Sequence, residues 1–309
     1  MTMRSVVCAY SDVGYACLET LLALGAEIAA VFTHEDDPAE EVWFRSVRRL
    51  AEQSGLPVFT PERLDADWVA RLRVWEPDFL FSFYYRRLLP TAVLETARLG
   101  ALNLHGSLLP RYRGRCPVNW VLINGERETG VTLHYMVARA DAGDIVGQRR
   151  VPIADDDTAY TLYGKQTAAA TELMREMYPR LCAGTAPRVP QDHRQATYCG
   201  GRRPADGVID WTRSAREIYD LVRAVTHPYP GAFTSWGGRQ LLIWSAQVEA
   251  SDGVARQAPG TVLATDRSII VQTGAGRLRA VRVQLDGEEE TEGGAWARRH
   301  GVAEGVQLV

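Results

Sequence analysis

Ser5-Val-Val-Cys-Ala-Tyr10, then a helical pattern from Gly14 to Leu24, then Ile28-Ala-Ala-Val-Phe-Thr33: this stretch decides the fold class. The two flanking runs are short, apolar and not alternating, as expected of strands buried on both faces of a sheet. Between them Leu18, Leu21 and Leu22 share one helical face, and Gly25 stops the helix. Working outward, the pattern repeats. A helix is expected from about Trp43 to Gln53, a brief strand over Pro57–Thr60 and a helix over Asp67–Trp75. A strand over Asp78–Phe83, a helix over Pro90–Ala97 and a strand over Ala101–Leu104 follow. Such alternation predicts an α/β fold, a Rossmann-like doubly wound parallel sheet. Sheets of this kind bind ligands beyond the carboxyl ends of their strands. Only Gly14 follows the first strand, without G-x-G-x-x-G, so a nicotinamide dinucleotide is not indicated.

Further on, Thr129–Val137 and Ile145–Ile153 read as longer strands, and Thr158–Leu181 as a long helix. Asp155, Asp156 and Asp157 precede that helix, where carboxylates suit its N-terminus. Ala183–Pro190 has the small residues and prolines of a linker. Beyond it come one helix, Ser214–Thr226, and short segments over Gln240–Val248, Gly260–Ala264, Ser268–Thr273 and Arg277–Gln284. That pattern predicts a smaller C-terminal β-barrel domain, OB-like, over 191–309, after a catalytic domain over 1–190.

Charge narrows the chemistry. Lysine and arginine total 35, yet Lys165 is the one lysine, and it lies in Gly164-Lys165-Gln166 rather than in a Gly-Lys-Ser/Thr phosphate loop. Schiff-base chemistry would rest on the same residue, inside a helical pattern. The longest run without an ionisable Asp, Glu, Lys or Arg, Ala224–Gly238, is broken by Pro228, Pro230 and three glycines, so no membrane span is expected. No signal peptide is legible, and the five cysteines form no CxxC pair. A reducing cytoplasm and no bound metal are the expectation. His34-Glu-Asp-Asp37 has poor ligand spacing and reads as a solvated acidic loop.

The densest chemistry lies in Asn103-Leu-His-Gly-Ser-Leu-Leu-Pro-Arg-Tyr-Arg-Gly-Arg115. Asn103 and His105 end a strand two residues apart, so both side chains face the same side. An amide donor beside an imidazole suits acyl transfer: one can hydrogen-bond a developing oxyanion while the other moves a proton. Asp141, in a loop between two strands, could accept a hydrogen bond from His105 and fix its tautomer; as a plain turn residue it would be equally ordinary. Ser107 lacks the G-x-S-x-G elbow of a hydrolase, and His134, beside Tyr135, reads as a packed or paired residue.

Asn103-x-His105, Ser107-Leu-Leu-Pro-Arg-Tyr-Arg-Gly114 and Asp141 resemble the signature of the 10-formyltetrahydrofolate-dependent formyltransferases. Arg223-Ala-Val-Thr-His-Pro-Tyr-Pro-Gly-Ala232 is similar to a segment of the two-domain members, so the likeness covers most of the chain. Phe81–Arg86, Asn119–Glu126, Thr129–His134 and Arg139–Gly143 most resemble one branch, the formyltransferase half of bifunctional polymyxin-resistance proteins, which formylates UDP-4-amino-4-deoxy-L-arabinose in lipid A modification. The resemblance implies 10-formyltetrahydrofolate as formyl donor. It places Arg87, Leu88, Leu89, Arg115, Val137, Ala138, Arg139 and Ala140 in the folate pocket, and it makes Asn103, His105 and Asp141 catalytic, with Asp141 favouring protonated His105. The decarboxylase half of those proteins is not within these 309 residues, so the likeness implies a stand-alone enzyme or an excised half.

Two other readings stay open: methionyl-tRNA formyltransferase, and a folate- or nucleotide-binding protein without catalysis. The combination of Asn103, His105 and Asp141 argues against the second. Charge argues against the first. Residues 1–190 carry 21 cations and 24 anions, residues 191–309 carry 14 of each, and His34–Glu41 holds five acids. A polyanion needs a local basic surplus. The expected partner is a small nucleotide-sugar substrate, not nucleic acid or membrane, and a homo-oligomer is compatible with it.

Overall fold

The computed structural model describes residues 3–36, 42–249 and 257–309. The chain divides into two compact units, each assembled from separate stretches. Met1–Pro117, Glu128–Pro152 and Tyr163–Gly200 form the first, and Val118–Arg127, Ile153–Leu162 and Gly201–Val309 the second.

In the first unit, β1 (Arg4–Ala9), β2 (Glu27–Phe32), β3 (Val58–Phe59), β4 (Phe79–Phe83) and β5 (Gly100–His105) alternate with helices. These are α1 (Ser11–Ala23), α2 (Val47–Gln53), α3 (Ala66–Trp75) and the single turn α4 (Thr91–Leu94). The short β6 (Arg113–Gly114) follows, and after α5 (Pro117–Ile123), which from Val118 on belongs to the second unit, come β7 (Glu128–Tyr135) and β8 (Ile145–Pro152). The long α6 (Ala159–Cys182) and the short β9 (Tyr198–Cys199) follow. The sheet order is β3-β2-β1-β4-β5-β7-β8. Pairs from β3 to β5 are parallel, whereas β7 and β8 run antiparallel. The reversal of strand order between β1 and β4 opens the crevice in which such sheets hold ligands.

Burial explains the pattern. β4 is buried at every residue and β1 at all but Arg4, as befits strands covered on both faces. β8 is buried only at Val146 and Val151, and its Gln148, Arg150 and Pro152, which share one face, are exposed to solvent. The helix expected from Trp43 starts at Val47, because the Ser46 side chain caps it by accepting from Arg49 N–H. The helix expected over Pro90–Ala97 is one turn long.

The second unit contains α7 (Ala215–Val225), β10 (Ala232–Trp236), β11 (Arg239–Glu249), β12 (Val262–Ala264), β13 (Ile269–Gln272), β14 (Arg277–Leu285), β15 (Thr291–Glu292) and α8 (Gly293–Arg299). Its strands follow the order β10-β11-β14-β13-β12, with β15 beside β14, and every pair is antiparallel. The result is a half-barrel, closed inward by Leu241, Ile243, Leu278, Ala280, Val283 and the buried Trp296 of α8. A reciprocal capping box between Ser214 and Glu217 starts α7. Asn119 donates to the Ala224 carbonyl, and buried Arg223 pairs with Asp220 while donating to the carbonyls of Ala154 and Asp157. Asp155 pairs with Arg127 and Arg216, and Asp157 accepts from Ala154 N–H, so this acidic run is tied into its own unit.

Candidate active site

The β5–β7 register builds the site. Asn103 lies opposite His134 and His105 opposite Thr132, so these four side chains share one face, while Leu104 and Leu133 share the other. Thr132 donates to the Ser107 carbonyl and accepts from Leu109 N–H, while Gln148 of β8 donates to Thr132 and to the Leu109 carbonyl. The chain after His105 is thereby fixed to β7 and β8. Gly106 leaves room there that a Cβ would lose, since one would stand 2.1 Å from the Tyr84 hydroxyl.

Asp141 completes the group. Its Oδ1 lies 3.7 Å from His105 Nδ1 and 3.7 Å from His134 Nε2, and its Oδ2 accepts from Gly114 N–H at 2.8 Å. His105 Nε2 sits 2.7 Å from the Tyr112 carbonyl. A carbonyl can only accept, so Nε2 carries the hydrogen, and in the neutral ring Nδ1 is the bare nitrogen that can take a proton. The same argument applies to His134: Nδ1 donates to the Tyr135 carbonyl at 2.8 Å, and Nε2 is left to accept from Asn103 Nδ2 at 3.2 Å. His134 therefore orients the Asn103 amide, whose second N–H remains for a ligand.

Burial pulls the His105 imidazole below its ordinary pKa, against the Asp141 carboxylate and the Tyr112 carbonyl, which favour the charged ring. Burial would raise Asp141. Charge on the His105 and His134 rings whenever they are protonated, together with the Gly114 N–H, outweighs it and holds the carboxyl well below the usual carboxylate range. The resting arrangement is a neutral imidazole beside an ionised carboxylate. Proton uptake at Nδ1 creates a cation next to an anion already in place.

The residues expected in a folate pocket stand on two loops and a short strand end. Arg87 and Leu88 follow β4, with Leu88 86% exposed and Arg87 donating to the Pro61 carbonyl at 2.5 Å. Leu89 packs, with Tyr85 and Met136, on the core cluster that includes Val6, Phe32 and Leu80. Val137, Ala138, Arg139 and Ala140 are exposed on the loop after β7. Arg139 donates to the Tyr198 hydroxyl, and Arg115 N–H bonds to the Cys199 carbonyl. His34 stacks on Tyr85 and accepts from Arg86 N–H, and Glu35 pairs with Arg48; Asp37 lies outside the described residues.

An amide, two imidazoles and a carboxylate at the carboxyl end of a central strand form a site suited to acyl-group transfer. The chain belongs to the formyltransferase family: residues 11–178 match the formyl transferase family and residues 202–301 match the formyl transferase C-terminal domain. Among solved structures, an N-formyltransferase from Helicobacter canadensis, in complex with folinic acid and dTDP-3-aminofucose, is similar with a TM-score of 0.70 at 19% identity. That match covers 91% of this chain and 99% of that one. WlaRD, a sugar 3N-formyltransferase solved in the presence of dTDP and 5-N-formyl-THF, gives 0.69 at 17% identity, covering 94% and 100%. HypX from Aquifex aeolicus gives 0.66 at 17%, over 98% of this chain, which spans about half (49%) of HypX. At these identities the structures share the fold.

Proposed function

We propose that the chain transfers a formyl group from 10-formyltetrahydrofolate to the amine of a nucleotide-linked amino sugar, with UDP-4-amino-4-deoxy-L-arabinose as acceptor. The observation that carries this reading is the meeting of Asn103, His105 and Asp141 in one site of a formyltransferase-family chain. The dTDP-3-aminofucose complex of one similar structure, and the dTDP present with the other, a sugar 3N-formyltransferase, support the acceptor class.

The surroundings fit folate chemistry. Leu88 and Val137 are exposed apolar side chains suited to a flat ring. Arg87, Arg115 and Arg139, none of which has a carboxylate partner among the described residues, suit its glutamate carboxylates. When bound there, the folate supplies an electrophilic formyl carbon. Asn103, oriented by His134, donates its second N–H to the formyl oxygen as that oxygen gains charge. His105 takes the proton of the attacking amine at Nδ1 and returns it to the departing nitrogen, and Asp141 stabilises the imidazolium in between.

The test offers 10-formyltetrahydrofolate with UDP-4-amino-4-deoxy-L-arabinose, with a dTDP-linked amino sugar or with methionyl-tRNA, and follows tetrahydrofolate release. Turnover with the UDP-sugar is expected. Turnover with the dTDP-sugar alone would overturn the particular acceptor, and turnover with the tRNA alone would overturn the acceptor class.

A further inference from the structure

The segment after α6 returns to brace the site. Tyr112 N–H donates to Thr197 Oγ1, and Arg113 N–H to the Thr197 carbonyl, while β6 and β9 pair in parallel. One side chain of this segment, Gln191, is buried at 6% exposure. Its Oε1 accepts from Arg113 Nη2 at 2.5 Å, and its Nε2 donates to the carbonyls of Asp141 (2.9 Å) and Gly143 (2.6 Å). A guanidinium can only donate and a carbonyl can only accept, so chemistry fixes which way the amide faces.

Arg113 is fully buried, and its other contacts are Tyr198 Oη at 3.0 Å and His193 Nδ1 at 2.9 Å, so no carboxylate neutralises it among the described residues. A buried cation held only by neutral groups is expensive. Here it closes a ring. Gly114, next in the chain, donates to the Asp141 carboxylate, Asp141 offers its carbonyl to Gln191, and Gln191 accepts from Arg113. Asp141 is itself in the left-handed region at φ 54°, a conformation that external contacts must hold in a residue bearing a Cβ. At Gly143 the loop runs so close to β7 that a Cβ would meet the Tyr135 carbonyl at 2.0 Å.

We propose that Gln191, oriented by Arg113, is a positioning residue for the reaction: it holds the Asp141 backbone so that the carboxylate stays on the His105 and His134 side of the loop. The proposal rests on the formyl-transfer reading for its catalytic consequence, but its geometric content can be tested without turnover. Gln191→Glu keeps an acceptor for Arg113 and loses both donors to the loop carbonyls, whereas Gln191→Met fills the space and loses every bond.

In both variants we expect kcat to fall about 10²-fold, the cost of a misplaced catalytic group, with KM for donor and acceptor little changed. In the full chain, the Gly114 amide resonance should move toward its position in Asp141→Asn, and the His105 imidazole titration should shift from wild type. Three results would overturn the proposal: wild-type kcat in both variants, activity lost only in step with the unfolded fraction, or an unmoved Gly114 resonance and His105 titration. If wild-type protein turns over no amine, the formyl-transfer reading fails, while the two resonance measurements still decide the role of Gln191.

Discussion

Replacing Asp141 by Asn keeps the size of the side chain and an oxygen for the Gly114 N–H, and removes only the charge. Across 3.7 Å, a carboxylate and an imidazolium attract by about 4 kcal/mol at an effective dielectric near 20. The site's shape is otherwise unaltered, so the loss falls on the state in which His105 holds a proton. The kcat plateau should drop by roughly 10²–10⁴, the range of general acid–base assistance. The direction of the pH effect follows from the same charge. In wild type Asp141 supports the His105 cation against burial, so without it the imidazole should titrate at lower pH. With the neutral ring as the proposed base, the acid limb of the kcat profile should move to lower pH even as the plateau falls. The assay is tetrahydrofolate formation from pH 5 to 9, about the span over which a histidine titrates, with the His105 resonance followed in parallel. A limb that stays or moves upward, or a plateau that is kept, would refute the electrostatic reasoning.

Asn103→Ala removes the proposed oxyanion donor, and kcat should fall about 10²–10³-fold with unchanged thermal stability; wild-type turnover would exclude the role. Asp220→Ala strands Arg223, whose side chain is 4% exposed like that of Asp220; urea unfolding should register a loss of about 3–5 kcal/mol. Gly143→Ala forces a Cβ onto the Tyr135 carbonyl, and the cost, about 1–3 kcal/mol, should appear as a lower Tm together with reduced activity. His34 is held at about 4 by burial first and by Arg87 and Arg86 next. An unfolded imidazole takes up its proton near 6.5, about the reference value, so stability should fall as pH drops from there toward 4. His34→Gln should flatten that slope, and an unchanged slope would show that other groups set it.

Much of the fold was legible because the strands from Ser5 to Leu104 are short, mostly apolar runs that alternate with helical patterns. The shared face of Asn103 and His105 followed from the two-residue period alone. His134 did not, although Thr132 and His134 show the same spacing, because only the β5–β7 register places that face beside Asn103. Register depends on long-range pairing that periodicity does not encode. Gln191 and Arg113 were illegible for a related reason: their partners lie 78 residues apart in the chain, and a buried guanidinium held by neutral acceptors has no local signature. The antiparallel turn of β7 and β8 was likewise invisible in runs that read only as strands.

In the proposed reaction Asn103, His105 and Asp141 together move a formyl group to a nucleotide-sugar amine. Its most direct test supplies 10-formyltetrahydrofolate labelled with ¹³C in the formyl carbon, together with UDP-4-amino-4-deoxy-L-arabinose, to wild-type protein and to His105→Ala. A labelled formamide should form on the sugar with wild type and almost none with the variant, both proteins being equally folded. Equal labelling by the two proteins, or label found only on methionyl-tRNA when both acceptors are offered, would contradict it.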